Sequence, residues 1–449
     1  MRFYIETFGC TSNFGNSQDL AEALQEMGHV PSGLEEADVV IVNTCAVTER
    51  TERKVLRRLR QLDGKRLVVA GCLAAASPDS ISKIGCLGSI GVLKDSSAER
   101  ISEILEQSPA LLQQALPSYP SLASAPKPLP SASKSLPSAS NQLLSPSPSI
   151  VPPSLANAMN LCRIVNVAEG CTGRCSYCIV RKARGPLCSR PLDDIIARIR
   201  SLAAEGVAEV QLAAQDIAAY GLDLDASLAG LLENAAQVPG RFRLRVGMMN
   251  PKNIPPQQNE LIKAFKSPKI YKFLHIPVQS GSDDILLSMG REYKVREFLE
   301  IAQAFRESFE DITIITDIIT GFPGETEDDF NSSARLLELL QPDKVNVTRF
   351  SSRQGTIAAD MYDMPDRIKK DRSRVLTEMW MQIASERNSR YLGRVLPCVV
   401  VEEGRKGTMK GRTANYQGVV IEEKVPLGSS LMVEITSYNS FYLSGRAIN

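Results

Sequence analysis

The sequence predicts a three-part α/β protein: an N-terminal parallel α/β sandwich, a central partial (βα)6 barrel, and a small C-terminal β-barrel. Three observations carry this. Val- and Ile-rich runs alternate with amphipathic segments over residues 1–108 and again over 159–365, the pattern of parallel strands covered by helices on both faces. Beyond Gly393 the pattern changes to short strands separated by Gly and Pro turns, which suits a small barrel of the oligonucleotide-binding type. Between the two alternating stretches, residues 109–158 are Ser, Pro, Ala and Leu with almost no charge. Such a segment cannot bury enough surface to offset its ordering entropy and reads as a disordered spacer.

Composition sets bounds. The chain has 449 residues, enough for two or three domains, and its hydrophobic content of 43% supplies folded cores. The formal net charge of +1 says nothing global about partners. Ten cysteines without a signal peptide or long apolar run suggest a reducing cytoplasm rather than a disulfide framework. No stretch approaches the roughly 20 apolar residues that a membrane span requires.

In the first part, strands are expected at Arg2–Thr7, Asp38–Asn43 and Arg66–Ala70, with a weaker one near Ser89–Leu93. Helices are expected at Ser17–Met27, Glu49–Leu62 and Ala98–Glu106. Cys10, Cys45 and Cys72 each follow a different strand by two or three residues. In open α/β sheets the ligand crevice lies beyond the carboxyl ends of the strands, so these cysteines should converge there. The helix after Cys45 carries Arg50, Arg53, Lys54, Arg57, Arg58 and Arg60 against Glu49 and Glu52. It is either a solvated face or a patch for nucleic-acid phosphates.

In the central part, a strand leads into Cys171-Thr-Gly-Arg-Cys175-Ser-Tyr-Cys178. Three thiols within eight residues suggest a metal site. Iron–sulfur clusters usually take four cysteines, so three would leave one iron open to a substrate or cofactor. Five further strands are expected at Glu209–Ala213, Phe242–Val246, Phe273–Ile276, Ile312–Ile318 and Lys344–Thr348. Helices are expected at Leu192–Glu205, Leu228–Val238, Leu261–Phe265, Asp283–Met289, Val295–Ser308 and Thr326–Leu340. Loops at the strand carboxyl ends hold Gln215, Asp216, Gln279, Ser280, Gly321 and Gly324, facing the mouth where such barrels act. A long Arg/Lys-rich helix over 366–391 then leads to the last domain, 392–449.

These motifs together resemble the radical S-adenosylmethionine (SAM) methylthiotransferase family. The cysteine loop with Tyr177 is similar to the superfamily signature, whose open iron binds SAM. Ile5-Glu-Thr-Phe-Gly-Cys-Thr-Ser-Asn13, Asn43-Thr-Cys-Ala-Val-Thr48 and Ala70-Gly-Cys-Leu73 resemble the family's three N-terminal motifs. Likewise similar are His275-Ile-Pro-Val-Gln-Ser-Gly-Ser282, Met289-Gly-Arg-Glu-Tyr293, Asp317-Ile-Ile-Thr-Gly-Phe-Pro-Gly-Glu325 and Arg184-Gly185. Lys410-Gly-Arg-Thr-Ala-Asn-Tyr-Gln-Gly-Val419 looks like the family's RNA-binding TRAM domain.

The resemblance implies two 4Fe–4S clusters, one on Cys171, Cys175 and Cys178 and an auxiliary one on Cys10, Cys45 and Cys72. It implies SAM contacts from Tyr177, Gln215, Asp216, Gln279, Ser280, Gly321 and Gly324. Ala213-Ala-Gln-Asp216 stands where the superfamily usually has Gly-Gly-Glu, which leaves open the group that binds the amino end of SAM. It further implies RNA contacts from Arg405, Lys406, Lys410, Arg412 and Tyr416, the last by stacking on a base.

Arg349-Phe-Ser-Ser-Arg-Gln-Gly-Thr356 and Gly411-Arg-Thr-Ala-Asn-Tyr416 look most like the archaeal and eukaryotic branch. Those enzymes convert N6-threonylcarbamoyladenosine beside the tRNA anticodon to its 2-methylthio form, through a SAM-derived 5′-deoxyadenosyl radical. Isopentenyladenosine tRNA or a ribosomal protein is the alternative substrate, and an iron–sulfur RNA-binding regulator is the non-enzymatic alternative. The implied partners are tRNA and an electron donor such as a ferredoxin or flavodoxin, for a cytoplasmic monomer away from membranes. Cys86, Cys162, Cys188 and Cys398 match no ligand position and read as structural.

Overall fold

The computed structural model describes residues 1–107, 149–150 and 161–448. The expected spacer therefore lies outside the described residues except at 149–150, as do the side chains of those two residues and of Lys406.

The N-terminal part is a parallel sheet in the order Val30–Pro31, Arg2–Thr7, Val39–Thr44, Leu67–Gly71, Gly88–Ser89, with Ser149–Ile150 antiparallel on Arg2–Thr7. Val39–Thr44 is buried at every residue, as a central strand covered on both faces must be. The first helix runs Thr11–Glu26 and begins six residues before the expected Ser17. Its opening turns, Thr-Ser-Asn-Phe-Gly-Asn, are polar and carry no apolar period, yet Ser12, Asn13 and Asn16 are buried.

Six parallel strands form the central part in sequential order: Cys162–Asn166, Glu209–Ala213, Arg243–Val246, Phe273–His275, Thr313–Thr320 and Lys344–Arg349. Two three-stranded ladders meet through single bridges between the third and fourth strands, Leu244 to Ile270 and Met248 to His275. The outward residues and the surrounding helices make one large apolar core.

The first strand, an edge of this open barrel, is covered by the N-terminal helix Thr11–Glu26. A Cβ on Gly15 would stand 2.7 Å from Ile164 and 2.8 Å from Asn166, so only glycine lets helix and strand approach this closely. Asn166 Nδ2 donates to Ser12 O at 3.1 Å, and Ile164 N–H donates to Gln18 Oε1 at 3.0 Å. Glu22 takes Arg163 and Arg198 as ion-pair partners across the same seam.

The long helix Asp366–Ser389 packs along the sixth strand, with Trp380 buried and donating from Nε1 to Asp343 O at 3.3 Å. Its cations are largely engaged: Lys369 pairs with Asp363, Arg372 with Glu325 and Glu327, and Arg387 with Asp343. Five strands then close a barrel around Val400, Met409, Val419, Ile421, Val433, Ile435 and Leu443. No helix among the described residues is long and apolar enough to cross a membrane.

Candidate metal centres and cofactor site

Cys10 is the N-cap residue of helix Thr11–Glu26, Cys45 follows strand Val39–Thr44, and Cys72 opens helix Cys72–Ala76 after strand Leu67–Gly71. The three thiols lie within electrostatic reach of one another. Gly71, at φ +95°, has no room for a Cβ, which would sit 2.4 Å from Thr44 O and from Asn43 Oδ1. Only glycine turns the chain there and delivers Cys72 to its neighbours.

Burial pushes the Cys45 thiol up to about 12 and raises Cys72, the latter against the pull of Arg184. Arg184 comes from the other domain: its Nε donates to Cys72 Sγ at 3.3 Å, and its remaining donors reach Glu169, Asn13 and Asn16. Asn13 Nδ2 in turn holds Phe8 O at 2.7 Å and Thr44 O at 2.9 Å, linking the loops that carry Cys10 and Cys45.

The second triad lies at the barrel mouth. Gly170 at φ +76° leads into Cys171, and a Cβ there would overlap Pro186 O at 1.9 Å. Gly173 N–H donates to Cys171 Sγ at 3.2 Å, and Arg291 Nη1 donates to Cys175 Sγ at 3.4 Å. Burial raises Cys171 and pushes Cys178 up to about 12. Burial works against the Arg291 charge, but Tyr293, Tyr177 and Cys175 together keep it cationic. Arg291 and Tyr293 also hold the fourth-strand loop, through Pro277 O and Val278 O. Tyr177 packs edge-on against Phe322 with ring centroids 6.3 Å apart.

All six thiols are free, and each set is flanked by an arginine that favours the thiolate, Arg184 buried and Arg291 half-buried. No group of three or more His, Cys, Asp or Glu side chains among the described residues is arranged to hold a single metal ion. A cluster instead takes one thiolate at each iron, so two sets of three separate thiols fit 4Fe–4S groups better than a shared zinc. Thiols raised by burial must lose their protons on binding, which makes loading dependent on pH.

The cofactor residues expected from the sequence divide. Gln215 is the strongest: both atoms of its amide are buried without a partner. Such a pair is costly unless a ligand satisfies it. Asp216 is instead a brace. Its oxygens accept from Ala218 N at 3.1 Å, Asn250 N at 2.9 Å and Asn253 Nδ2 at 2.7 Å, tying the second-strand loop to the third. Ser280 is fully buried and accepts from Ser282 N–H at 3.2 Å. Gln279, at φ +77°, is fixed by its backbone to Asp317 O and Ile319 N. A Cβ on Gly321 would stand 2.2 Å from Lys369, so that glycine admits the long helix; Gly324 faces open space.

The RNA residues divide as well. Arg405 is exposed, and Lys410 is paired with Glu402 at 2.7 Å. Tyr416 does not stand free to stack on a base. Its ring lies 4.8 Å from Tyr271 and 4.9 Å from Phe273, and its hydroxyl donates to Glu209 Oε1 at 2.9 Å. The Arg412 guanidinium lies 4.7 Å from the Tyr416 ring and faces Glu209 and Tyr271. The last domain thus inserts this pair against the amino ends of the barrel strands, opposite the mouth. Hydrophobic and polar partners inside outweighed the exposed placement that the basic loop suggested.

On the N-terminal domain, Arg50, Arg53, Lys54, Arg57 and Arg60 are exposed, whereas Arg58 is engaged with buried Glu6 at 2.8 Å. Sequence reading did not single out Asn13, Asn16, Glu169, Asn250 or Arg353. Asn13, Asn16 and Glu169 lie near cysteines and Asn250 and Arg353 in polar loops after strands, a signal too common to act on alone.

Residues 165–337 match the family described as "Radical SAM superfamily", and residues 2–87 match "Uncharacterized protein family UPF0004". A probable threonylcarbamoyladenosine tRNA methylthiotransferase of Pyrococcus abyssi is 38% identical over 455 residues, covering 100% of both chains. The threonylcarbamoyladenosine tRNA methylthiotransferase of Drosophila melanogaster is 32% identical over 100% of this chain and 78% of its own length. Among solved structures, the radical SAM methyltransferase TsrM of Kitasatospora setae, with cobalamin and a [4Fe-4S] cluster bound, aligns with a TM-score of 0.53 at 16% identity. It covers 77% of this chain and 70% of its own, a likeness of fold.

Proposed function

The chain belongs to the radical SAM methylthiotransferase family, and from that membership we propose that it adds a methylthio group to C2 of N6-threonylcarbamoyladenosine next to the tRNA anticodon. The observation that carries this reading is the pair of cysteine triads joined by Arg184 across one domain seam. A single triad would suit many radical reactions.

When bound, the two 4Fe–4S clusters and SAM supply the radical that takes hydrogen from the base and the sulfur that replaces it. The chain's residues do the rest. Cys171, Cys175 and Cys178 would hold one cluster, and Cys10, Cys45 and Cys72 the other. Arg291 and Arg184 offset negative charge at each set. Gln215 would donate to and accept from SAM, and Tyr177 closes the wall behind the first triad. The seam formed by Thr11–Glu26 would fix the N-terminal set against the first barrel strand.

The exposed arginines of Glu49–Gln61, with Arg405, Lys406 and Lys410, would neutralise tRNA phosphates, and the adenosine must leave its stack to enter the mouth. The same reading gives a cytoplasmic monomer that takes electrons from a ferredoxin or flavodoxin. The test is anaerobic reconstitution with SAM, reductant and tRNA bearing threonylcarbamoyladenosine. The 5′-deoxyadenosine and the 2-methylthio nucleoside should form together. Release of neither would leave an iron–sulfur RNA-binding regulator, and conversion of isopentenyladenosine alone would replace the substrate.

A further inference from the structure

We infer that Arg353 is the residue that reads the substrate's carboxylate. It follows the sixth barrel strand in a segment that bridges the two triads. On one side of that segment, Ala358 N–H donates to Ser176 O at 2.8 Å, between Cys175 and Cys178. On the other, Arg353 Nη1 donates to Glu52 Oε2 at 2.5 Å, on the helix that begins four residues after Cys45. The Arg353 carbonyl accepts from Thr356 N–H at 3.0 Å and from Thr356 Oγ1 at 2.7 Å, which fixes the turn. The residue is only 7% exposed.

Glu52 engages one corner of the guanidinium. The other edge, Nε and Nη2, is buried and without a partner. These two N–H groups point in parallel, the fork that takes a carboxylate with both oxygens at once. Buried donors left unpaired are costly, so the edge calls for a pair of acceptors in its plane, which a carboxylate supplies.

A threonine joined to adenosine through its amino group keeps a free carboxylate, whereas an isopentenyl group is a hydrocarbon and offers none. A site built to hydrogen-bond one group rejects an analogue lacking it far more strongly than an apolar pocket rejects a misfit. Arg353 is thus a specificity-determining residue, an inference that rests on the substrate proposed above. A single cluster-bound sulfur would meet one of the two N–H groups and leave the other unsatisfied.

The test uses reconstituted full-length protein and two tRNA preparations differing only in the threonylcarbamoyl group. Wild type should prefer the modified tRNA by about 10- to 100-fold in Kd, in line with the loss of a charged hydrogen-bond pair. In Arg353→Gln the ratio should fall towards one while bound iron stays unchanged, and Arg353→Lys should keep only part of it. Esterifying the threonyl carboxylate should produce the same loss on the wild-type protein, without any substitution. An undiminished ratio in Arg353→Gln overturns the inference, as does lost iron with the ratio intact. If wild type fails to convert the modified tRNA at all, the proposed substrate itself falls, and the inference with it.

Discussion

Arg184 Nε donates to Cys72 Sγ at 3.3 Å, although 112 residues and a domain boundary separate them. Arg184 ends the short helix that follows the Cys171–Cys178 loop, yet its charge serves the other cysteine set. The two cysteine sets are therefore coupled: moving the Cys171–Cys178 loop moves a donor to Cys72.

Replacing Arg184 by Ala leaves Glu169, Asn13 and Asn16 without their shared partner. Breaking such a buried pair costs about 3–5 kcal/mol. We expect a lower Tm together with reduced iron at the N-terminal site. Arg184→Lys should recover little, because an ammonium cannot reach all four partners in the plane of a guanidinium. Full iron retention in Arg184→Ala would show that the contact is incidental.

Substituting Cys10, Cys45 and Cys72 with Ala should halve the bound iron and abolish methylthio product, while 5′-deoxyadenosine still forms. The matching triple substitution at Cys171, Cys175 and Cys178 should abolish 5′-deoxyadenosine. Iron assays and chromatography of the SAM products separate the two outcomes.

Gln215→Ala removes a buried amide that has no protein partner. We expect the KM for SAM to rise about tenfold, the cost of one or two neutral hydrogen bonds, with iron content unchanged. An unaltered KM would remove Gln215 from the cofactor site.

Tyr416→Ala should destabilise the joint between the last domain and the barrel by about 3 kcal/mol, as for other buried aromatics. Tyr416→Phe, which loses the hydroxyl's bond to Glu209 and the one it accepts from Gln211, should cost about 1–2 kcal/mol. Thermal unfolding reads both. Arg405→Ala should leave Tm alone but weaken tRNA binding and lower the log–log salt slope by about 0.7–0.9.

Burial, helped by Arg243, lowers Lys272 to about 8, below its ordinary 10.5. Between those values the unfolded chain binds more protons than the folded one, so this lysine's contribution to stability rises with pH. Wild type should gain on Lys272→Met as pH goes from 8 towards 10, measured by denaturant midpoints of the cluster-free proteins. A constant difference would mean that Lys272 keeps its charge when folded.

The sequence by itself determined the order of elements and both sets of cysteines. Strands Arg2–Thr7 and Glu209–Ala213 and helix Val295–Ser308 fall at the expected residues, because apolar period and turn residues are local signals. The triad Cys171, Cys175, Cys178 is legible for the same reason, being a local spacing. Cys10, Cys45 and Cys72 follow from a rule about strand ends. Short pairs such as Val30–Pro31 and Ala168–Glu169 with Cys188–Ser189 were not legible, since two residues carry no period.

Tertiary structure alone decided where the charges and hydroxyls went. It turned Tyr416 inward, made Asp216 a brace, gave Gly321 to Lys369, and brought Arg353 to Glu52 across 301 residues. A side chain's hydrogen-bond partner depends on which loops packing brings together, and no propensity or spacing along the chain encodes that.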